Sequence, residues 1–227
     1  MSSINDLLNE VKWLIAARSL SYTSASEACD VYEGFLFSLV VSTASKWGAQ
    51  VHYEDVHGKT VQDLLFRTGP GQLYTKTKPF THAVIEFDRA PALEAHVGVR
   101  VQGGSGVLHE CDVVVLQADE AALSRRESVA PRGSKCLLAI ECKYYTTHLG
   151  IELARNFEGL HADLRAQHEL FVSNTSAPNV LRYLSARKRE YEPLVAPSAP
   201  HRVQEVRSQI RRAFKSYLSG YTGSALI

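Results

Sequence analysis

The stretch "KCLLAIECKYY", Lys135 to Tyr145, constrains this chain more than any other. Its apolar body reads as a buried β-strand, yet Glu141 and Lys143 sit inside it, one residue apart. Charged side chains are almost never fully buried unless they are paired or hold something. Such a strand needs neighbours on both sides and a reason for its charged end, so fold and chemistry are tied together.

Neighbours lie upstream. "HAVIEFDR" (82–89), "LEAHVGVRV" (93–101) and "VLHECDVVVLQ" (107–117) read as three more strands, and "QGGSG" between the last two suits a hairpin turn. That glycine run lacks the Lys-Ser or Lys-Thr ending of a phosphate loop. Helical patterns flank the strands. Residues 3–20 place Leu7, Leu8, Val11 and Leu14 on one face. In "SASE", Ser24 and Glu27 fit a capping box opening a helix to about Lys46. A short strand is expected at 50–54, a short helix at 59–67 and a polar loop at 118–134. A helix at 150–167, the strand "ELFVSN" (169–174), and helices at 178–190 and 202–218 complete the chain. The expected class is α/β, a mixed central β-sheet flanked by helices. It forms a single domain over 1–227, with a core at about 24–174 and a basic helical extension at about 175–227.

Hydrophobic residues make up 45% of the 227, enough for a substantial core, and no run approaches the ~18 apolar residues of a membrane span. The polar, acidic start "MSSINDLLNE" is not expected to be a signal peptide. Cys29, Cys111, Cys136 and Cys142 form no CxxC pair, which favours free thiols in a reducing cytoplasm. A zinc site from His109, Cys111, Cys136 and Cys142 is conceivable, but buried free thiols fit the surrounding valines and leucines better. Net charge is +1, unevenly spread: from 175 onward nine basic residues face three acidic ones. Either this is a solvated helix face, or it is a surface for an anionic partner, nucleic acid first.

Strand alternation sharpens the chemistry. In "VLHECDVVV", Glu110 and Asp112 share one side, with His109, Cys111, Val113 and Val115 opposite. In "KCLLAIECKYY", Glu141 and Lys143 share a side, with Cys136, Leu138, Ile140 and Cys142 opposite. If the two strands are neighbours, Asp112, Glu141 and Lys143 converge. Adjacent carboxylates repel unless a cation sits between them, and their hard oxygens suit Mg²⁺. A lysine beside the ion can orient water or stabilise developing negative charge.

Asp112, a gap of 28 residues, then Glu141-Cys142-Lys143 resembles the signature of the PD-(D/E)XK nuclease superfamily. The hairpin delivering the Asp, the apolar strand ending in ExK and the helix after it agree. Cys111 departs from the pattern by standing where the family often has proline. The resemblance implies a restriction-endonuclease-like core (αβββαβ) with additional helices at both ends. It implies that Asp112 and Glu141 bind Mg²⁺, for which Mn²⁺ can substitute, helped by the backbone carbonyl of Cys142, and that Lys143 positions the attacking water. Glu33, whose helical neighbours Cys29, Leu36, Phe37 and Val40 are apolar, would add a carboxylate; pairing with an arginine is its other reading. The implied activity is metal-dependent phosphodiester hydrolysis by a DNA endonuclease in restriction or anti-phage defence. The alternatives are a non-catalytic nucleic-acid-binding member of the fold, or an RNA or DNA-repair nuclease. Expected partners are nucleic acid, DNA ahead of RNA, gripped at phosphates by Arg207, Arg211, Arg212 and Lys215, a second copy of the chain, and an activating protein. No membrane is expected.

Overall fold

A computed structural model describes residues 3–147 and 149–222. In chain order the elements are α1 (Ile4–Ile15), β1 (Ser19–Leu20), α2 (Ala28–Lys46), β2 (Gln50–Asp55), β3 (Asp63–Leu64), β4 (Thr81–Glu86), β5 (Leu93–Gln102) and β6 (Leu108–Gln117). Then follow α3 (Ala118–Glu127), a 3-10 turn (Gly133–Lys135), β7 (Cys136–Lys143), α4 (Ile151–Leu164), β8 (His168–Ser173), α5 (Pro178–Ala186), β9 (Glu190–Glu192) and α6 (Pro200–Thr222). Seven strands form one sheet in the order β2-β4-β5-β6-β7-β8-β9, with β1 and β3 paired apart from it. Neighbours from β2 to β7 are antiparallel, while β8 and β9 run parallel to β7. The switch follows the connections: tight turns join β4, β5 and β6, whereas α4 and α5 are crossovers, which parallel pairing requires. The protein is therefore α/β with a mixed central sheet flanked by helices. Among the described residues no helix is long and apolar enough to cross a membrane.

α1, α2 and α6 cover one face of the sheet. α2 is packed between α1, α6 and the strands, so Val31 to Ala44 is buried almost all round. The opposite face carries two smaller clusters. α4 and α5 close over Phe171 and Tyr191, while α3 and the end of α4 close over Val99, Val101, Cys111, Val114 and Leu116.

Several local expectations are corrected. α2 begins at Ala28 with Glu27 at its N-cap and no side-chain cap bond. Ser24 and Glu27 therefore form no capping box, and a turn closed by the Thr23 N–H on Ser26 Oγ (2.9 Å) precedes the helix. No helix forms at 59–67, because that segment's backbone bonds elsewhere: Leu65 N–H donates to Thr81 Oγ1 and Phe66 N–H to Ser21 Oγ, both at 3.0 Å. The expected loop 118–134 contains α3, which has acids in its first turn and arginines in its last, in keeping with the helix dipole. The helix expected to reach 190 stops at Ala186, and Glu190–Glu192 adds an edge strand.

Two irregularities interrupt the alternation. A shift in the β6–β7 register makes room for Leu137, so Leu137 and Leu138 pack in the main core while Cys136 packs with Ala139 on the other side. The β5–β6 ladder pairs Val97 with Val113 and Val99 with Cys111, and Gly98 between them has φ +62°. Val97 and Val113 accordingly join the main core while Val99 and Cys111 join the α3 side. Cys111 and Cys136 thus do not share a face with Val113 and Leu138, as strict alternation required.

The β5–β6 hairpin is tied to α4 by Asp163. This carboxylate accepts the Ser105 N–H (2.7 Å) and Ser105 Oγ–H (2.6 Å) and pairs with His109 Nε2 (2.7 Å). These bonds, His109 first, hold Asp163 down at about 2 against an ordinary 3.8. A depressed carboxylate contributes its full stabilisation above its unfolded pKa and loses it as pH falls through the folded one. Urea unfolding between about pH 4 and pH 2 should therefore show a steeper acid loss in wild type than in Asp163→Asn. Parallel acid profiles would show that the strap contributes nothing.

Candidate active site

Asp112 sits at the break in the sheet. The β6–β7 ladder runs as far as Val113 opposite Ile140. Beyond it, Asp112 Oδ2 accepts the Cys142 N–H at 2.7 Å. The carboxylate satisfies a buried backbone donor next to the end of the paired ladder. It is only 6% exposed and is fixed relative to the two charged residues that flank Cys142.

Glu141 and Lys143 project together from β7, while the Cys142 thiol turns into the main core. Lys143 Nζ lies 2.6 Å from Glu141 Oε1 and 3.5 Å from Asp112 Oδ2. The ammonium is the counter-ion of both acids, which is why a charged pair can end a buried strand. Glu33, on the first turns of α2, and the exposed Glu110 act electrostatically on the same group. Burial, then the Asp112 charge, pushes Glu141 up to about 7 and Glu33 up to about 9, with Lys143 opposing both. Glu110 is raised for the same two reasons. Burial alone would lower Lys143, but Asp112 and Glu141 together outweigh it and hold it cationic.

Four acids crowd one ammonium, and in the absence of a cation their mutual repulsion is relieved by protonation, Glu33 first. Among the described residues no three of these carboxylates bring oxygens within 4.8 Å of one another; the one trio of ligand atoms that close is His82, Glu94 and His96. Asp112 and Glu141, bridged by Lys143, form a two-carboxylate set. That donor set fits Mg²⁺, which keeps several waters and takes one or two carboxylates from the protein. Glu33 does not complete a trio with them.

The surroundings stiffen the site. Asn174, 7% exposed at the end of β8, accepts the Tyr145 N–H at 2.8 Å and donates to the Tyr145 carbonyl at 2.9 Å. It thereby clamps the chain just past Lys143, a role its place in a polar "SN" step did not signal. Tyr32 and Tyr144 rings lie 5.4 Å apart beside it.

The basic residues of α6 do not form one free face. Arg207 is buried and donates to Ser42 Oγ and Thr43 Oγ1 on α2. Arg212 reaches Glu190 at 3.2 Å and Arg211 reaches Ser208 Oγ at 3.1 Å. Arg211 and Lys215 are exposed. Further along α6, Phe214 packs on Phe87 and Tyr217 Oη donates to the Pro91 carbonyl, at the β4–β5 turn. That turn lies at the end of the sheet opposite Lys143, since Leu93 pairs with Gln117 and β6 ends there.

All four cysteines are free. Cys142 packs on the other side of the sheet from Cys111 and Cys136, and His109 is engaged by Asp163, so no Cys–His zinc site forms. The alternation in "HAVIE" and "LEAHV" puts His82, Glu94 and His96 on one side of adjoining strands, a signal present in the sequence itself. Comparisons with protein-family models, curated proteins and solved structures give no match to this chain.

Proposed function

We propose that this chain is a Mg²⁺-dependent phosphodiester hydrolase of the restriction-endonuclease-like class, acting on DNA. The observation that carries the reading is the fixing of Asp112 against the Cys142 N–H, which brings its carboxylate to the ammonium shared with Glu141. The succession α2, β5, β6, β7, α4, β8 agrees with the αβββαβ core the resemblance implies, with β2, β4 and α3 as additions.

Asp112 and Glu141, with the Cys142 backbone carbonyl in support, would hold the ion. Bound there, Mg²⁺ supplies Lewis-acid polarisation of the phosphoryl group and acidification of water. Lys143 has a separate task. Its ammonium stays charged across the neutral range and can donate to a phosphoryl oxygen as charge builds there, or orient the attacking water. Water adds to phosphorus and gives up a proton to solvent on the carboxylate side of the site; the P–O3′ bond breaks, and the departing 3′ oxygen takes up a proton from solvent to leave as a hydroxyl. Asn174 and the Cys142 N–H keep these groups from drifting. Cutting both strands of a duplex takes two such sites, so a second copy of the chain is part of the proposal.

Incubation of plasmid, single-stranded DNA and RNA with Mg²⁺, Mn²⁺ or EDTA tests this. Cutting of DNA in either metal and none in EDTA is expected. Metal-independent cutting, or none on any substrate, would sink the catalytic reading.

Arg211 and Lys215 offer two phosphate contacts away from the ion site. The double variant Arg211→Ala/Lys215→Ala should lower the slope of log affinity against log salt by about 1.8 on long duplex DNA, with the cutting step unchanged. An unaltered slope would show that α6 does not touch the backbone.

A further inference from the structure

A second polar cluster lies under α3, apart from the carboxylate site. His82 on β4 and Glu94 and His96 on β5 are 3%, 4% and 6% exposed. Glu94 Oε2 is 3.0 Å from His96 Nε2 and 3.4 Å from His82 Nε2. The two imidazoles stack with centroids 4.8 Å apart at 18°. His82 Nε2 is fully buried, directed at that carboxylate oxygen, and has no hydrogen-bond partner. A buried nitrogen left without a partner calls for an explanation.

We propose that His82, Glu94 and His96 form a binding site for a transition-metal dication, with Zn²⁺ the best fit. Two imidazole nitrogens and one carboxylate oxygen are a donor set for zinc and its neighbours, whereas Mg²⁺ prefers oxygen alone. Ligand atoms at bond lengths of ~2.0–2.1 Å on a tetrahedral ion stand about 3.3 Å apart. The two separations from Glu94 bracket that value, and all three ligand atoms lie within 4.8 Å of one another. An ion there gives His82 Nε2 its partner.

Arg125 completes the arrangement from α3, donating to Glu94 Oε1 at 2.5 Å and Oε2 at 2.8 Å. With an ion on Oε2 it keeps Oε1 and becomes the outer partner that orients the carboxylate, as such ligands require. Glu54 and Asp55 add negative charge nearby and Arg67 adds positive charge, so the acids outnumber the arginines by one. The three ligands are almost fully buried, which suits a staple rather than a reaction centre. It joins β4 to β5 two residues before Gly98, the point where the ladder breaks beside Asp112. The inference does not depend on the phosphodiester reading.

The test is refolding of the full chain with Zn²⁺, desalting, metal analysis and thermal unfolding. One zinc per chain, a raised Tm, and about ten-fold or greater weakening in His82→Gln are expected. Arg125→Met, which removes the partner that orients Glu94, should still bind zinc but about ten-fold or more weakly than wild type. Co²⁺ in place of Zn²⁺ should give the visible bands of a tetrahedral nitrogen and oxygen site with no thiolate charge transfer. Failure of the wild type to bind zinc would overturn the proposal. So would equal binding by His82→Gln, or a thiolate band, since either places the ion elsewhere. If His82→Gln does not fold, the Co²⁺ spectrum of wild type decides.

Discussion

Lys143→Ala is expected to slow metal-dependent DNA cleavage by about 10²–10³-fold, the usual effect of removing one donor aimed at developing charge. Its signature should differ from that of the acids. Lys143 is bonded to Glu141 Oε1 at 2.6 Å and lies 3.5 Å from Asp112 Oδ2, so in the metal-free protein it neutralises the groups that would hold Mg²⁺. Without it those carboxylates attract a cation more strongly. The Mg²⁺ concentration for half-maximal rate should therefore stay level or fall in Lys143→Ala. In Asp112→Asn and Glu141→Gln it should rise steeply, along with the loss of rate. The metal-free Lys143→Ala protein should also be less stable at neutral pH, because Asp112 and Glu141 lose their shared counter-ion and Glu141 must then be buried as the protonated acid beside the Asp112 charge, and Mg²⁺ should restore it. Cleavage assays across Mg²⁺ concentrations, with thermal unfolding in and out of Mg²⁺, separate these outcomes. A Lys143→Ala enzyme that cuts at the wild-type rate would remove the ammonium from the chemistry.

The parts of this site legible in the sequence are those that local periodicity encodes. The apolar run before Glu141 announced a buried strand, and period-two alternation put Glu141 and Lys143 on one side of it. Alternation also aimed Asp112 toward them. What alternation cannot encode is a register change. The extra residue at Leu137 and the positive φ at Gly98 moved Cys136 and Cys111 to the opposite face. The bond from the Cys142 N–H to Asp112 exists only because the paired ladder stops at Val113, a property of two strands rather than one. α3 leaves no periodic mark in the sequence for a different reason. It buries mainly Ala121, Glu120 and Ser124, so it lacks an apolar stripe and is held by Glu120–Arg132 and Glu94–Arg125 pairs instead. β9 is three residues long, below the length at which periodicity carries information. The α6 arginines looked like one basic face, but burial of Arg207 against Ser42 and Thr43 depends on where α2 lies.

Gly133→Ala should destabilise the protein by about 3 kcal/mol, the upper end of the usual range for overpacking, because the atom it strikes is backbone. Gly133 is buried at the 3-10 turn that feeds β7. A Cβ there would stand 1.9 Å from the Leu164 carbonyl oxygen and 2.9 Å from its carbon. Leu164 is the last residue of α4 and is itself buried, so the helix end cannot simply retreat. The same junction carries the Gln167 N–H donating to the Cys136 carbonyl at 3.0 Å, which sets the start of β7 against the start of β8. Displacing it disturbs the strand whose other end holds Glu141 and Lys143. Gly159→Ala in the same helix is the matched control. It is exposed, has nothing within 4 Å of a new Cβ, and lies in a helix interior where alanine is preferred by roughly 0.5–1 kcal/mol. Urea unfolding should therefore give shifts of opposite sign for these two glycine-to-alanine changes, one against the end of α4 and one on its exposed face. Stabilisation by both would mean that α4 is not seated on the turn before β7, and the positioning of Lys143 would then need another explanation.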